Sequence, residues 1–306
     1  MPQVRQKIVP HVWFDGSAEA AARTYIELLP NSRIGHVARY AEAGRDQHGQ
    51  PPGSVMSMEV MLDGYLLVLI NGGPAFRPTP ALSFFVMFEH ATDLDGAWQR
   101  LADGGTIMMP LDRYDWSSRY GWLSDRHGVS WQLSLGTRAD VGGAAVSPSL
   151  LFTRTMAGRA EEALRHYVSL FPGSSIEGVL RHDGSGVDAA GTVMHAQFQL
   201  AGQTFMAMDS AHAHDFSVSE ATSLMVLCDT QEEVDHYWDA LSAVPEAEAC
   251  GWLKDRYGLS WQITPRALID GLKDPDPGVV QRVMETFLPM KKLDVAELER
   301  ARGDRN

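Results

Sequence analysis

One long-period repeat constrains this chain of 306 residues more than any other feature. The phrase GWLSDRHGVSWQ, beginning at Gly121, returns as GWLKDRYGLSWQ at Gly251 with nine of twelve positions identical, which marks an internal duplication. Upstream, Trp98 answers Trp238, Met56 answers Met194, Tyr25 and Pro30 answer Tyr167 and Pro172, and Pro10 answers Pro148. The offset falls from 140 at Trp98 to 130 at Gly121, so the first copy holds ten additional residues within MMPLDRYDWSSRY. Between the copies, TRADVGGAAVSPS (137–149) has the small, polar, Gly-rich composition of an exposed linker. The reading is two domains, 1–143 and 144–270, followed by a helical tail, 271–306, in keeping with about 150 residues per domain.

Within each copy the hydrophobic period alternates between strand-like and helical. A strand over Ile8 to Phe14 precedes the helical stretch EAAARTYIELL, and three period-two runs follow, around Ser32 to Tyr40, Val55 to Leu62 and Tyr65 to Ile70. The same β-α-β-β-β order restarts at Leu82 with the helix DLDGAWQRLADGG, and the second copy is expected to run in parallel. After Trp261, DPDPGVVQRVMETFLPMKKLDVAELERAR predicts one or two terminal helices opened by Asp and Pro, with Met284, Phe287, Leu288 and Met290 as packing residues.

Composition removes several function classes. Apolar residues at 44% and charged residues at 21% are those of a chain that folds throughout. The net charge of −13, with basic residues scattered among acids, argues against attraction to nucleic acid or to an anionic membrane. No stretch approaches the roughly 20 apolar residues that span a bilayer, and the first residues lack the apolar core of an export signal. Two cysteines, Cys228 and Cys250, form neither a disulfide framework nor a CxxC site, so a reduced, cytoplasmic setting is expected.

Strand alternation then locates a candidate site. Met56, Met58, Val60 and Leu62 form an apolar face opposite Ser57 and Glu59; Met194, Ala196, Phe198 and Leu200 oppose His195, Gln197 and Gln199. In the last strand of each copy, Val129, Trp131 and Leu133 oppose Ser130, Gln132 and Ser134, while Leu259, Trp261 and Ile263 oppose Ser260, Gln262 and Thr264. The apolar faces need helices against them, which leaves polar faces to line a small-molecule pocket. Candidate ligand contacts there are Ser57, Glu59, Gln132, His195, Gln197 and Gln262, joined from module-opening strands by His11, Trp13, Ser83, Ser149 and Ser223. Asp125 and Asp255 precede glycine-containing turns and are read as bonding their own backbone. His212 and His214 are read as solvated loop residues, and the Gly258-Leu259-Ser260 string as a turn.

The phrases VPHVWFDGSAEAAARTY, GSVMSMEVMLDG, VMHAQF and CGWLKDRYGLSWQ, with the DPDP…QRVM…MKK tail, resemble the PhnB-like branch of the vicinal oxygen chelate superfamily, the glyoxalase and bleomycin-resistance fold. That branch is also labelled 3-demethylubiquinone-9 3-methyltransferase. The resemblance covers nearly all of both copies and implies an α+β fold, in which each copy closes two βαβββ modules into a curved, half-closed mixed sheet. Enzymes of the superfamily hold a divalent metal on His and Glu side chains of first and last strands. His11 stands at such a position, whereas Ser149 takes its place in the second copy and Gln132 and Gln262 stand where the Glu is usual. An amide is a weak ligand and supplies no general base, so no metal and no cofactor is expected. The function read here is small-molecule binding; the alternative is a metal-dependent lyase, isomerase or dioxygenase using His11. HDGSGVDAAG, from His182, is a loop between strands rather than a methyl-donor turn, so the methyltransferase label supplies no reaction. Fusing two copies satisfies within one chain the interface that single-copy relatives form as dimers, so a monomeric pseudo-dimer is expected.

Overall fold

The computed structural model describes residues 6–40 and 49–303. In the first copy, β1 (Ile8–Phe14), α1 (Ala18–Tyr25), β2 (Arg33–Arg39), β3 (Val55–Leu62) and β4 (Tyr65–Asn71) make the first module. The second module is β5 (Leu82–Phe88), α2 (Ala91–Ala102), β6 (Thr106–Tyr114), β7 (Ser117–Ser124) and β8 (Ser130–Leu135). The third is β9 (Val146–Phe152), α3 (Ala160–Leu170), β10 (Ser175–Arg181), β11 (Val193–Leu200) and β12 (Gln203–Asp209). The fourth is shorter: β13 (Thr222–Cys228), α4 (Gln231–Leu241), β14 (Trp252–Lys254) and β15 (Ser260–Pro265). Three terminal helices follow, α5 (Arg266–Leu272), α6 (Pro277–Phe287) and α7 (Val295–Arg302), and pack around Leu268, Val283, Leu293 and Leu298.

The expected α+β architecture of open, mixed sheets is present, but the modules do not pair as expected. One sheet runs β14-β15-β13-β1-β4-β3-β2 and the other β10-β11-β12-β9-β5-β8-β7-β6. The first module therefore shares a sheet with the fourth, and the second with the third. The seams are antiparallel, β1 against β13 and β5 against β9, while within each module the first and last strands lie parallel. Each copy thus contributes half of both sheets. A module's opening strand has a free edge that any other module can fill, and nothing in its own periodicity selects the partner.

One continuous core holds the apolar faces of both sheets and helices α1 to α4. At its centre two buried carboxylates repeat the same arrangement. Asp125 Oδ1 accepts the amides of His127 (2.8 Å) and Val129 (3.0 Å), and Oδ2 accepts Tyr25 Oη (2.7 Å) and Trp131 Nε1 (3.1 Å). Asp255 does the same with Tyr257, Leu259, Tyr167 (2.6 Å) and Trp261 (2.9 Å). The structural reading of both aspartates is correct, and it extends further than the turn. Tyr25 comes from the helix lying on the seven-stranded sheet and Asp125 from the eight-stranded one, so each cluster rivets the two sheets of one copy together.

Three local expectations need correction. Met56 and Met194 do not join the core. Arg39 pairs with Val55 and Ala38 with Ser57, so Met56 is an extra residue in β3; Met194 is likewise skipped between Val193 and His195 in β11. These bulges shift the alternation by one position, turning Val55 and Val193 inward and leaving Met194 45% exposed. The segment 137–149 is not an exposed linker. It makes a 3-10 turn over Arg138–Val141, reverses at Gly142 with φ of 67°, and enters β9 with Val141 and Ala145 buried. The second copy also departs from strict parallelism, because no strand of the fourth module corresponds to β6 among the described residues. In its place the amides of Cys250 and Gly251 bond the carbonyls of Met290 and Lys291 from the terminal segment.

Replacing Asp125 with alanine leaves the Tyr25 hydroxyl, the Trp131 indole and two turn amides without an acceptor. Urea unfolding is expected to register a loss of about 3–5 kcal/mol, against about 1–2 kcal/mol for Tyr25→Phe. A loss below about 1 kcal/mol for Asp125→Ala would contradict the rivet.

Candidate functional site

The surfaces that do not join the core face away from it, and on the seven-stranded sheet that surface bounds a cavity of about 1110 Å³. Its floor comes from alternate residues of the central strands: Val9, His11 and Trp13 of β1, Leu66, Val68 and Ile70 of β4, and Met225 and Leu227 of β13. Gln262 and Thr264 enter from β15 and Trp252 from β14. Helices α5 and α6 wall one side through Leu268, Ile269, Leu272, Val280, Met284 and Phe287. Met284 and Phe287 therefore pack as expected and also border the hollow.

Polar side chains stand among these apolar ones, His11 and Gln262 foremost. His11 is 7% exposed, and its Nδ1 lies 3.1 Å from the Val9 carbonyl. A carbonyl only accepts, so neutral His11 carries its proton on Nδ1 and presents Nε2 as an acceptor. Burial drops its pKa to about 4, against smaller upward pulls from the Val9 carbonyl and from Glu59. Gln262, 8% exposed, donates from Nε2 to Ser223 Oγ at 2.9 Å. His11 Nε2 and Gln262 Oε1 have no hydrogen-bond partner among the described residues. The seam brings the two together, because Ser223 is the register partner of His11 across β1 and β13.

Nearer the rim, Glu59 pairs with Lys273 from the end of α5 and accepts the His36 amide at 3.2 Å. Burial alone would lift the Glu59 carboxyl, but Lys273 and the His36 amide hold it below its ordinary range. Trp13 donates Nε1 to the Gly73 carbonyl at 2.7 Å, and its ring lies where a Cβ on Gly72 would fall, 2.0 Å away, so that position admits only glycine.

The cavity thus gathers His11, Trp13, Ser57, Glu59 and Gln262, with Ser223 directly beneath Gln262. The other five candidates belong to the eight-stranded sheet. There Gln132 Nε2 donates to Ser83 Oγ (2.7 Å) and approaches Ser149 Oγ (3.4 Å), while Gln132 Oε1 accepts Tyr120 Oη at 2.7 Å. All four of these side chains are buried. His195 and Gln197 sit half-buried on β11, and burial lowers the His195 pKa. His214 is not simply solvated, since its Nε2 lies 2.8 Å from Ser210 Oγ; His212 is exposed, 3.7 Å from Asp188. Among the described residues no group of three or more His, Cys, Asp and Glu side chains converges as a metal site requires.

Sequence reasoning missed Met225, Leu227, Trp252, Ile269 and Lys273. Met225 and Leu227 alternate with Ser223 along β13, a signal that was available. The contribution of α5 was not, because nothing local says which sheet a terminal helix covers.

The sequence model of one family matches twice along the chain, over residues 6–134 and again over 144–264. The chain belongs to the 3-demethylubiquinone-9 3-methyltransferase family. Among solved structures similar to it, the PhnB protein of Bacillus cereus is 37% identical over 43% of this chain and 100% of its own, with a TM-score of 0.40. Glyoxalase I from Zea mays is 11% identical over 83% of this chain and 89% of its own, with a TM-score of 0.50, a likeness of fold. None of the curated proteins matches the chain. As a member of this family the chain carries its sequence pattern twice within a glyoxalase-like fold. No helix among the described residues is long and apolar enough to cross a membrane.

The depressed pKa of His11 makes stability depend on pH. The unfolded chain takes up a proton as pH falls below about 6.5, whereas the folded protein resists until about 4. The contribution is whole above pH 6.5 and is lost as pH drops to 4. Comparing wild type with His11→Asn by urea unfolding at pH 7.5 and pH 4, wild type is expected to lose about 3 kcal/mol more than the variant. Parallel losses would show that His11 is not held neutral by burial.

Proposed function

We propose that this protein binds one small, largely apolar molecule in the cavity of the seven-stranded sheet and does so without a transition metal. The observation that carries this reading is the pairing of a roughly 1110 Å³ hollow with two acceptors that largely buried residues present to it, His11 Nε2 and Gln262 Oε1, neither of which has a hydrogen-bond partner among the described residues. Acceptors that open into an otherwise apolar hollow are met by a bound molecule that brings a matching donor, whereas one that covers them without a donor incurs the cost of their desolvation. The apolar walls supply the affinity and the two polar atoms the orientation.

The donor set argues against a divalent metal. His11 offers one nitrogen, Gln262 and Ser223 offer neutral oxygens, Glu59 is already neutralised by Lys273, and although His36, Cys250 and Asp270 also line the cavity, no three His, Cys, Asp or Glu side chains converge among the described residues. Zinc and its neighbours are held by at least three imidazole, thiolate or carboxylate ligands in ordinary protein sites. Both cross-copy seams are satisfied inside one chain, which supports a monomer, and the free, buried Cys228 fits a reducing, cytoplasmic location.

Native mass spectrometry of protein purified without chelator is expected to give a single species near 33.7 kDa carrying no stoichiometric metal. A dimer, or one equivalent of zinc, nickel, manganese or iron lost on His11→Ala, would reject that part of the proposal. N-phenyl-1-naphthylamine, a neutral fluorescent probe, is expected to bind one to one. Val68→Phe, which projects a larger side chain into the cavity floor, should weaken it at least tenfold without unfolding the protein. Failure of the dye to bind, or equal binding to both proteins, would remove the cavity as a binding site.

A further inference from the structure

The two sheets present the same four positions in the same register. His11 of β1 faces Val68 of β4 and Ser223 of β13; Ser149 of β9 faces Met206 of β12 and Ser83 of β5. Gln262 pairs with Trp252 in one sheet, and Gln132 with Trp122 in the other. In both, the glutamine amide nitrogen is spent on the serine of the seam, Ser223 or Ser83, which leaves the amide oxygen as the free end.

In the eight-stranded sheet that oxygen is occupied by a phenol. Tyr120 Oη donates to Gln132 Oε1 at 2.7 Å, and the Tyr120 ring stands edge-on to Tyr114 and Trp116, which stack on one another. Tyr114 and Trp116 lie in the stretch of the first copy that holds its additional residues. The position equivalent to Tyr120 in the repeat is Cys250. Its backbone sits at φ 53°, its amide bonds the Met290 carbonyl, and its Sγ turns to the Leu288 carbonyl at 3.1 Å, so it does not reach Gln262. One sheet carries its phenol covalently; the other keeps the acceptor and lacks the phenol.

We propose that the occupant of the cavity is a neutral hydroxyaromatic molecule whose phenolic O–H donates to Gln262 Oε1, as Tyr120 does to Gln132 in the other sheet. This deepens the small-molecule reading and rests on it. The remaining chemistry of the floor agrees. His11 Nε2 is a second acceptor on the same floor, so an anionic oxygen set against both acceptors meets two lone pairs. A buried ammonium finds no carboxylate free on the floor, since Glu59 is held by Lys273 and Asp270, the other carboxylate lining the cavity among the described residues, is exposed. A neutral hydroxyl satisfies the site without burying charge. Trp252 beside Gln262 and Trp13 beside His11 offer flat apolar surface to the ring, as Tyr114 and Trp116 do for Tyr120.

Displacement of N-phenyl-1-naphthylamine by three ligands of one shape tests this at pH 7: 2-naphthol, 2-methoxynaphthalene and 2-naphthoate. The naphthol is expected to displace the dye at concentrations at least tenfold below those of the ether, with the carboxylate weaker than either. Gln262→Met, of similar volume, should narrow the naphthol-to-ether ratio at least threefold; the wild-type series stands even if that variant does not fold or take up the dye. A ratio near one, a preference for the naphthoate, or dye displacement by none of the three overturns the hydroxyaromatic assignment and leaves the cavity reading intact. Loss of dye binding by the wild-type protein itself overturns both.

Discussion

The antiparallel seam between β1 and β13 is the contact on which the site depends. It joins strands from opposite ends of the chain and sets His11 opposite Ser223, the residue to which Gln262 is tethered. Without it the histidine and the glutamine would lie on separate modules, and each module would expose an open sheet edge. Closing a chain segment of more than two hundred residues is not prohibitive, because loop-closure entropy grows only logarithmically and each doubling of length adds about 0.6 kcal/mol. The second seam, β5 with β9, closes over a far shorter segment and makes the equivalent site. Covalent fusion of two copies therefore turns what would be a concentration-dependent association into part of folding.

Duplication left the two cavity-facing surfaces nearly superimposable in register and different in use. In the eight-stranded sheet the extended β6–β7 hairpin supplies Tyr120 to cap Gln132, and Val141 packs with Met87 and Met206 over the neighbouring floor. In the seven-stranded sheet no strand equivalent to β6 is present among the described residues, and α5 meets one part of the floor through Ile269, which packs with Val9, Met225 and Leu227. Val141 and Ile269 do the same work from segments of unrelated sequence. The difference is the depth of cover: a strand-borne aromatic reaches the glutamine, whereas α5 and α6 roof the space above it.

Much of this was readable in advance, because local pattern determines local structure. The strand Ile8–Phe14, the polar face containing Gln132 and Gln262, and the turn role of Asp125 and Asp255 all follow from period and turn chemistry. Module pairing was not readable. Every module opens with an apolar strand of similar composition, and a strand's alternation says which face is buried without saying which edge is joined. The bulges at Met56 and Met194 escaped for a related reason: one extra residue shifts the phase of half a strand, and VMSMEV carries no glycine or proline to announce it. The segment 137–149 misled because its small residues serve close packing and a left-handed reversal at Gly142, which share their composition with a linker.

The core and the cavity take opposite faces of the same strands, and β15 makes the division visible. Trp261 points into the core and bonds Asp255, while its neighbour Gln262 points into the cavity. The core-facing partners, Tyr25 with Asp125 and Trp131, and Tyr167 with Asp255 and Trp261, are the same in both copies down to the atoms that bond. The cavity-facing partners differ: His11 against Ser149, Val68 against Met206, Cys250 against Tyr120. Exchanging a residue on the inner face disturbs a rivet shared by both sheets, whereas exchanging one on the outer face changes the lining of the hollow and, at His11, how stability follows pH. That separation lets a single chain hold one self-capped surface and one open one without compromising the fold that supports both.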